Sequence, residues 1–322
     1  IGAFDLGAAL NGLYGMGGIM RIGSPGSESR INMRSGGDSS KQVLVMRDGI
    51  SVNEIYTGDA ELSRIPIDNI ERIEIIRGPA SALYGSNALG GVINVISRRA
   101  EKYNLGIFSS YGDFNTRACR IYAGAKTGKT DSLIAVSKNI SDGWRQNSGL
   151  NAQNLSLTLG YQAGAAGDFI FRSGWFTKKI GLPGKICDYD LLSQDWFRYS
   201  EDDRAASTPH ASLDNESISG SLVYDNKLSG SSKIRLTAYG NSDDGLHSDP
   251  DSLLETDYNS TTSGAELELD AVNGITLGGD IHQDNFRYRD RADNINDIEK
   301  KTQNEAFFLQ SILRLEPLTF IL

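Results

Sequence analysis

The spacing of apolar residues changes character about a third of the way along the chain. Up to residue 101, short runs of mixed type follow one another. Apolar spacing predicts a short helix over residues 4–13, then a glycine-rich turn (Gly15, Gly17, Gly18) and a brief strand over 19–22. A polar loop over 23–29 leads to strands over 31–34 and 42–46, an Asp48-Gly49 turn, a loop over 51–62 and a helical turn over 63–70. Residues 70–76 set Ile70, Ile73, Ile75 and Ile76 against Glu71, Arg72 and Glu74, a strand with charges on one side that a water-filled surround tolerates. Arg77-Gly78-Pro79 ends it, because Pro79 lacks a backbone donor and pushes Gly78 away from helical angles. A second strand covers 91–97, after a connection in which Gly85, Gly90 and Gly91 permit close backbone approach. Residues 1–101 therefore predict one small α+β domain.

From Tyr103 onward helical periodicity disappears and segments of about ten alternating residues recur between turns. Leu155, Leu157, Leu159 and Tyr161 alternate with Asn154, Ser156, Thr158 and Gly160; Ala265, Leu267, Leu269 and Ala271 alternate with Glu266, Glu268 and Asp270. The pattern predicts strands over 103–111, 117–126, 132–140, 153–162, 169–178, 216–225, 233–241, 261–271, 275–287 and 304–315. Alternation fits the core face of a soluble sandwich and the lipid face of a barrel equally. Connection lengths separate the two. One alternate set is short (127–131, 163–168, 226–232, 273–274, 316–317), and all but the first of the other set is long (112–116, then 141–152, 179–215, 242–260, 288–303). Short turns at one end and long loops at the other are expected of an outer-membrane barrel.

Composition agrees and removes other classes. A net charge of −9 argues against a nucleic-acid binder, and Gly 36 with Pro 7 suits many strands and tight turns. No run reaches the ~18 apolar residues of a membrane helix, which does not bear on a β-barrel. Three His and two Cys are too few for the usual metal clusters, so no metal or cofactor is expected. Residues 124–130 (GAKTGKT) are one residue short of a phosphate-binding loop and have no helix after them, so they read as a short turn. Acidic loop residues Asp243, Asp244, Asp249, Asp251, Glu201, Asp202 and Asp203 lack calcium-loop spacing and read as solvated. Cys119 in a strand and Cys187 in the longest loop are not expected to pair, and no catalytic triad or dyad stands out. The first residues carry no signal-peptide pattern, which fits either its removal or its absence from the start.

The stretch 65–99, IPIDNIERIEIIRGPASALYGSNALGGVINVISRR, resembles the plug signature of TonB-dependent outer-membrane receptors at nearly every position. Residues 42–49 (QVLVMRDG) and 31–35 (INMRS) resemble two further plug segments, with Ser35 in place of glycine and Arg47 in place of an apolar residue. The resemblance implies a small α+β plug (1–101) followed by antiparallel transmembrane β-barrel strands (102–322), about ten of a 22-stranded barrel. It also implies an internal portion of a longer receptor, with a TonB box before residue 1. It further implies an outer-membrane receptor, not an enzyme, for a scarce metal chelate (ferric siderophore, haem or cobalamin), with a TonB-type energy-transducing partner and outer-membrane lipid around it. The compact segment 53–62 resembles cobalamin-type receptors more than large catecholate ones. The alternatives are a cell-surface receptor for host protein or phage and a soluble β-rich enzyme. In this family ligands touch plug apical loops, here 21–29 and 53–61, which singles out Arg21, Ser27, Asn53 and Tyr56. By the same resemblance Arg34 and Arg77 pair with barrel glutamates, and Glu71 and Glu74 are charged strand residues facing the lumen. Local pairing of Arg77 with Glu74 is the equal alternative.

Overall fold

A computed structural model of the protein describes residues 5–10, 19–21, 26, 29–31, 33, 40–54, 57–184, 187–190, 195–199, 204, 206–228, 230, 232–271, 274–291, 297–315 and 318–321. The first part contains α1 (Leu6–Leu10), β1 (Ile19–Arg21), β2 (Ser29–Ile31), β3 (Val43–Arg47), β4 (Ile50–Ser51), β5 (Ile70–Arg77), α2 (Ser81–Tyr84) and β6 (Gly91–Ser97). β1 pairs antiparallel with β2, and a second sheet has the order β4-β3-β6-β5, with β3 parallel to β6. Val43 and Val45 face a core holding Leu6, Leu10, Leu62 and Ile93, while Leu44 and Met46 face a second one with Ala80, Ala88 and Val92. A strand covered on both faces reads as an unbroken apolar run, as Val43-Leu44-Val45-Met46 does.

The charged strand β5 departs from simple alternation because its pairing with β6 shifts register between Ile70 and Arg72. That bulge inserts Glu71 as an extra residue. Beyond it Ile73 and Ile75 pack on the core, and Arg72, Glu74 and Ile76 point away, so Ile76 joins the charged side and not the apolar one. Gly91 closes this sheet. Its φ is +150°, and a Cβ there would lie 2.5 Å from the Ile76 carbonyl oxygen.

The second part forms, among the described residues, one antiparallel sheet of eleven strands with neighbours in chain order and β7 and β19 at its edges. Its strands are β7 (Asn104–Gly112), β8 (Thr116–Thr127), β9 (Thr130–Ser141), β10 (Leu150–Gln162), β11 (Asp168–Gly181), β14 (Ser212–Lys227), β15 (Lys233–Asp249), β16 (Leu254–Asp270), β17 (Ile275–Asp290), β18 (Ile298–Leu315) and β19 (Leu318–Ile321). A separate hairpin, β12 (Cys187–Asp190) and β13 (Asp195–Tyr199), occupies the middle of the stretch expected as loop 179–215. The ten expected strands are β7–β11 and β14–β18.

Each strand turns one set of side chains away from the first part. Leu105, Ile107, Ile134, Val136, Leu155 and Leu159 are exposed on that outer face, and the same stripe continues through Leu222, Leu236, Leu267 and Phe307. At the end with the short turns it meets aromatic residues: Tyr161 lies opposite Phe169, whose ring is 5.0 Å from that of Tyr224. An apolar outer band with an aromatic edge is the surface a barrel presents to lipid.

Two expected loops are mostly strand. β15 and β16 remain paired up to Asp249 opposite Leu254, leaving 250–253 as the connection where 242–260 was expected. Likewise 288–303 contracts to 291–297. A 17-residue strand is roughly 55 Å long at ~3.3 Å per residue, and about 40 Å tall at a ~45° tilt. This exceeds the ~25 Å apolar band. The upper parts of β14–β18 therefore stand in water on both faces. Their hydrogen-bonded ladder continues after the hydrophobic alternation has stopped.

Candidate functional site

The first domain lies against the inner face of the sheet, and polar contacts set how it sits. Alternation places Arg120, Ser137, Asn154, Arg172 and Lys178 on that face, opposite the apolar stripe. Facing them are three carboxylates. Asp68, 4% exposed at its side chain, lies 3.0 Å from Arg120 and accepts hydrogen bonds from Ser137 Oγ (2.5 Å) and Asn154 Nδ2 (3.2 Å). Asp48, in the turn after β3, accepts from the Ser97 amide and hydroxyl at 2.9 and 2.6 Å and lies 3.3 Å from Arg172. Glu61 accepts from the amides of Ser29 and Ser63 and from the Ser63 hydroxyl; Lys178, 1% exposed, donates to Ser63 Oγ at 2.6 Å and lies 3.8 Å from Glu61. Lower down, Arg99 holds Asp131 with contacts of 3.2 and 2.5 Å.

Electrostatics distinguish these acids. Burial pushes Glu61 up, but Lys178, Arg64 and the hydrogen bonds from Ser63 and Ser29 outweigh it and hold the carboxyl below its ordinary value. Burial dominates at Asp68 and raises it against the pull of Ser137, Arg120 and Asn154. Burial also lowers the Arg47 guanidinium, with Asp48 acting the other way.

A cavity of about 420 Å³ separates the domain from the wall farther round. Its inner side includes Arg47, Thr57 and Arg64; its outer side includes Ser219, Asn241 and Thr262. Arg64 spans it, bonded to Glu54 at 2.8 Å and stacked 5.4 Å from the centre of the Tyr258 ring.

Of the residues singled out from the sequence, Asn53 lines this cavity, but its amide is committed to the backbone. It accepts from Val45 N at 2.8 Å and donates to the Val43 and Gly58 carbonyls at 3.0 Å each. Arg21 ends β1. Ser27, Arg34 and Tyr56 lie outside the described residues. Neighbouring Gly26, at φ +79°, abuts Leu150 at the outer end of β10. Glu71 and Glu74 both bind Arg72, at 2.8 and 2.9 Å, on the exposed side of β5, while Arg77 ends the strand opposite Gly91 and is itself exposed. The sequence reading missed Asp48, Glu61 and Asp68 and their wall partners. Strand parity was the available signal, since a cation opposite an apolar stripe faces inward. Asp243 and Asp244 lie in β15 and not in a loop, the first on the cavity side and the second bonded to Asn259 on the other.

A compact α+β domain, fixed by buried ionic contacts to the polar face of a wall whose other face is an apolar band, has the architecture of a plug against part of a β-barrel. Comparison with known proteins finds the same architecture. Residues 2–92 match the family model described as the TonB-dependent Receptor Plug Domain. The chain is 38% identical over 128 residues to the vitamin B12 transporter BtuB of Vibrio vulnificus (strain YJ016), covering 39% of this chain and 20% of that protein. Its fold matches the pyoverdine outer membrane receptor FpvA of Pseudomonas aeruginosa PAO1 with a TM-score of 0.80 at 10% identity, over 98% of this chain and 52% of that one. It matches the siderophore receptor PiuA of Acinetobacter baumannii at 0.72 and 14% identity, over 96% and 53%. The chain thus spans about half the length of these solved receptors and a fifth of the transporter. Residues 2–92 thus match a TonB-dependent receptor plug domain, and the strands after them share the fold of the wall in such solved receptors.

Proposed function

We propose that the protein takes up a scarce metal chelate (a ferric siderophore, haem or cobalamin) by binding it above the plug and passing it inward when a TonB-type protein acts on the plug. The observation that carries this reading is the plug itself, matched over residues 2–92 and fixed to a barrel wall through Asp48, Glu61 and Asp68. A plug held against the wall by ion pairs suits binding and gating. The apical turns around Arg21, Ser27, Asn53 and Tyr56 are the proposed ligand contacts on the plug, with Asn53 acting as the brace of its loop. The relation to a vitamin B12 transporter makes cobalamin the first ligand to test.

The experiment expresses the full-length receptor in a Gram-negative strain lacking its own chelate receptors, with and without the TonB-type protein. Uptake of labelled cobalamin, ferric siderophores and haem is then measured beside surface binding. The expected result is uptake of one chelate only when the energy-transducing protein is present, and binding in both strains. Binding without uptake in either strain would move the protein to the cell-surface recognition class.

A further inference from the structure

The plug does not meet the wall evenly. On β9 and β10 every inward position, from Asp131 to Ser141 and from Leu150 to Gly160, is buried. The ionic contacts cluster there and on the two flanking strands, with Asp68 on Arg120, Arg99 on Asp131, Glu61 beside Lys178 and Asp48 beside Arg172. On β14–β16 the inward residues Ser217, Ser219, Ser221, Asn241, Ser260 and Thr262 are only half-buried and line the 420 Å³ cavity. Among the described residues the plug's contacts across that gap centre on Arg64, which lies against the face of the Tyr258 ring and is attracted by Asp243.

We infer that this cavity is the passage for the solute, with the plug held on β8–β11 and parting from β14–β16. The inference rests on the transport reading above. Separating the plug from β8–β11 would strand buried charges on both sides, the costliest kind of contact to break. Separating it from β14–β16 removes the contact of Arg64 with the Tyr258 ring and its attraction to Asp243, while the ion pair of Arg64 with Glu54 stays within the plug. The wall chemistry also fits passage. Neighbouring small hydroxyls and an amide offer many weak, interchangeable hydrogen bonds and no fixed charge at those six positions, so a polar solute is wetted but not trapped. At about 420 Å³ the space lies near the small end of the ~300–1,000 Å³ typical of ligand pockets. A larger chelate therefore needs the gap to widen.

The test uses the full-length receptor in living cells, with Cys119→Ser and Cys187→Ser as background and one new cysteine at a time. Ser219→Cys and Thr262→Cys report the cavity; Ala135→Cys and Ser156→Cys report the anchored strands. A small, charged, membrane-impermeant methanethiosulfonate is added outside, with and without the TonB-type protein. The expected result is a labelling rate at least tenfold higher at 219 and 262 when that protein is present, and no gain at 135 or 156. Equal gains on both sides, or a gain only on the anchored side, would overturn the route. A second arm reads Ser219→Trp, expected to reduce chelate uptake at least tenfold with surface binding unchanged; unimpaired uptake counts against the route. The labelling needs no chelate, so the two readings fail separately. Wild-type uptake with even labelling rejects the passage alone. Uneven labelling in a receptor that takes up nothing rejects transport and leaves β14–β16 as the side on which the plug opens.

Discussion

At the scale of single residues, Lys178 and Glu61 decide most. Lys178 is almost wholly buried with its charge answered by Glu61 and Ser63. Lys178→Met removes one partner and leaves Glu61 buried beside Arg64 alone, a change expected to cost about 3–5 kcal/mol of local stability. The amide of Leu6, which bonds the Ile65 carbonyl, should then exchange at least a hundredfold faster. Acid should act on the two buried carboxyls in opposite directions. Glu61 is held below its ordinary value, so its contribution is complete above ~4.3 and fades as pH falls through the lower folded value. The protection that wild type has over Glu61→Gln, read at the Leu6 amide, should be constant near neutrality and shrink below that pH. Asp68 is raised, so ionising it weakens the fold as pH climbs from ~3.9 through its folded value. Asp68→Asn should gain on wild type across that window. None of these roles was legible in the chain. The partners of Asp68 and Ser63 lie 69, 86 and 115 residues away, beyond any local pattern.

At the scale of elements, the sequence is readable wherever one periodicity rules and misleading where two geometries meet. Strand β6 was legible to the residue as 91–97, and the ten wall strands were found because lipid on one side and polar lumen on the other impose strict alternation. The upper parts of β15, β16 and β18, and a few residues of β14 and β17, were read as loops because water on both sides erases that alternation without ending the pairing. Substitutions should reveal this boundary. Leu155→Arg, on the apolar band well away from its aromatic edge, should destabilise the folded barrel by about 2–4 kcal/mol, whereas Asn259→Arg, beside Asp244 above it, should cost about 0–1. Urea unfolding in lipid vesicles measures both, and equal costs would mean that the band reaches Asn259. The bulge at Glu71 hid in the same way, since a single inserted residue breaks a two-residue period. Gly91→Ala confronts the Ile76 carbonyl at a φ that disfavours a side chain, and should weaken the β5–β6 pairing by about 1–3 kcal/mol. A lower temperature for loss of plug protease resistance would record it.

At the scale of the whole molecule, plug and wall act as one body along β8–β11 and as two along β14–β16. The architecture was legible from the plug signature and from the unequal connections; this asymmetry was not, because it depends on which inward side chains find partners. Arg120→Ala leaves Asp68 without its cation on the anchored side, where the plug seals the wall. Cells carrying that receptor should become several-fold more sensitive to vancomycin, an antibiotic too large to cross an intact outer membrane. Tyr258→Ala, on the side already separated by the cavity, should leave sensitivity unchanged. Equal sensitivity of the two variants would mean that the seal does not depend on the anchored strands.

The height of β14–β18 has a consequence for how such a receptor changes over time. Above the lipid, successive residues of each hairpin look alternately into the vestibule and out toward the surroundings: Asp243 and Tyr258 inward, Asp244 and Asn259 outward. Two recognition surfaces are thus written on one ribbon in alternate letters. Substitutions can rewrite the outer letters while the inner ones stay as they are, and only a shift of register by one residue would exchange the two texts.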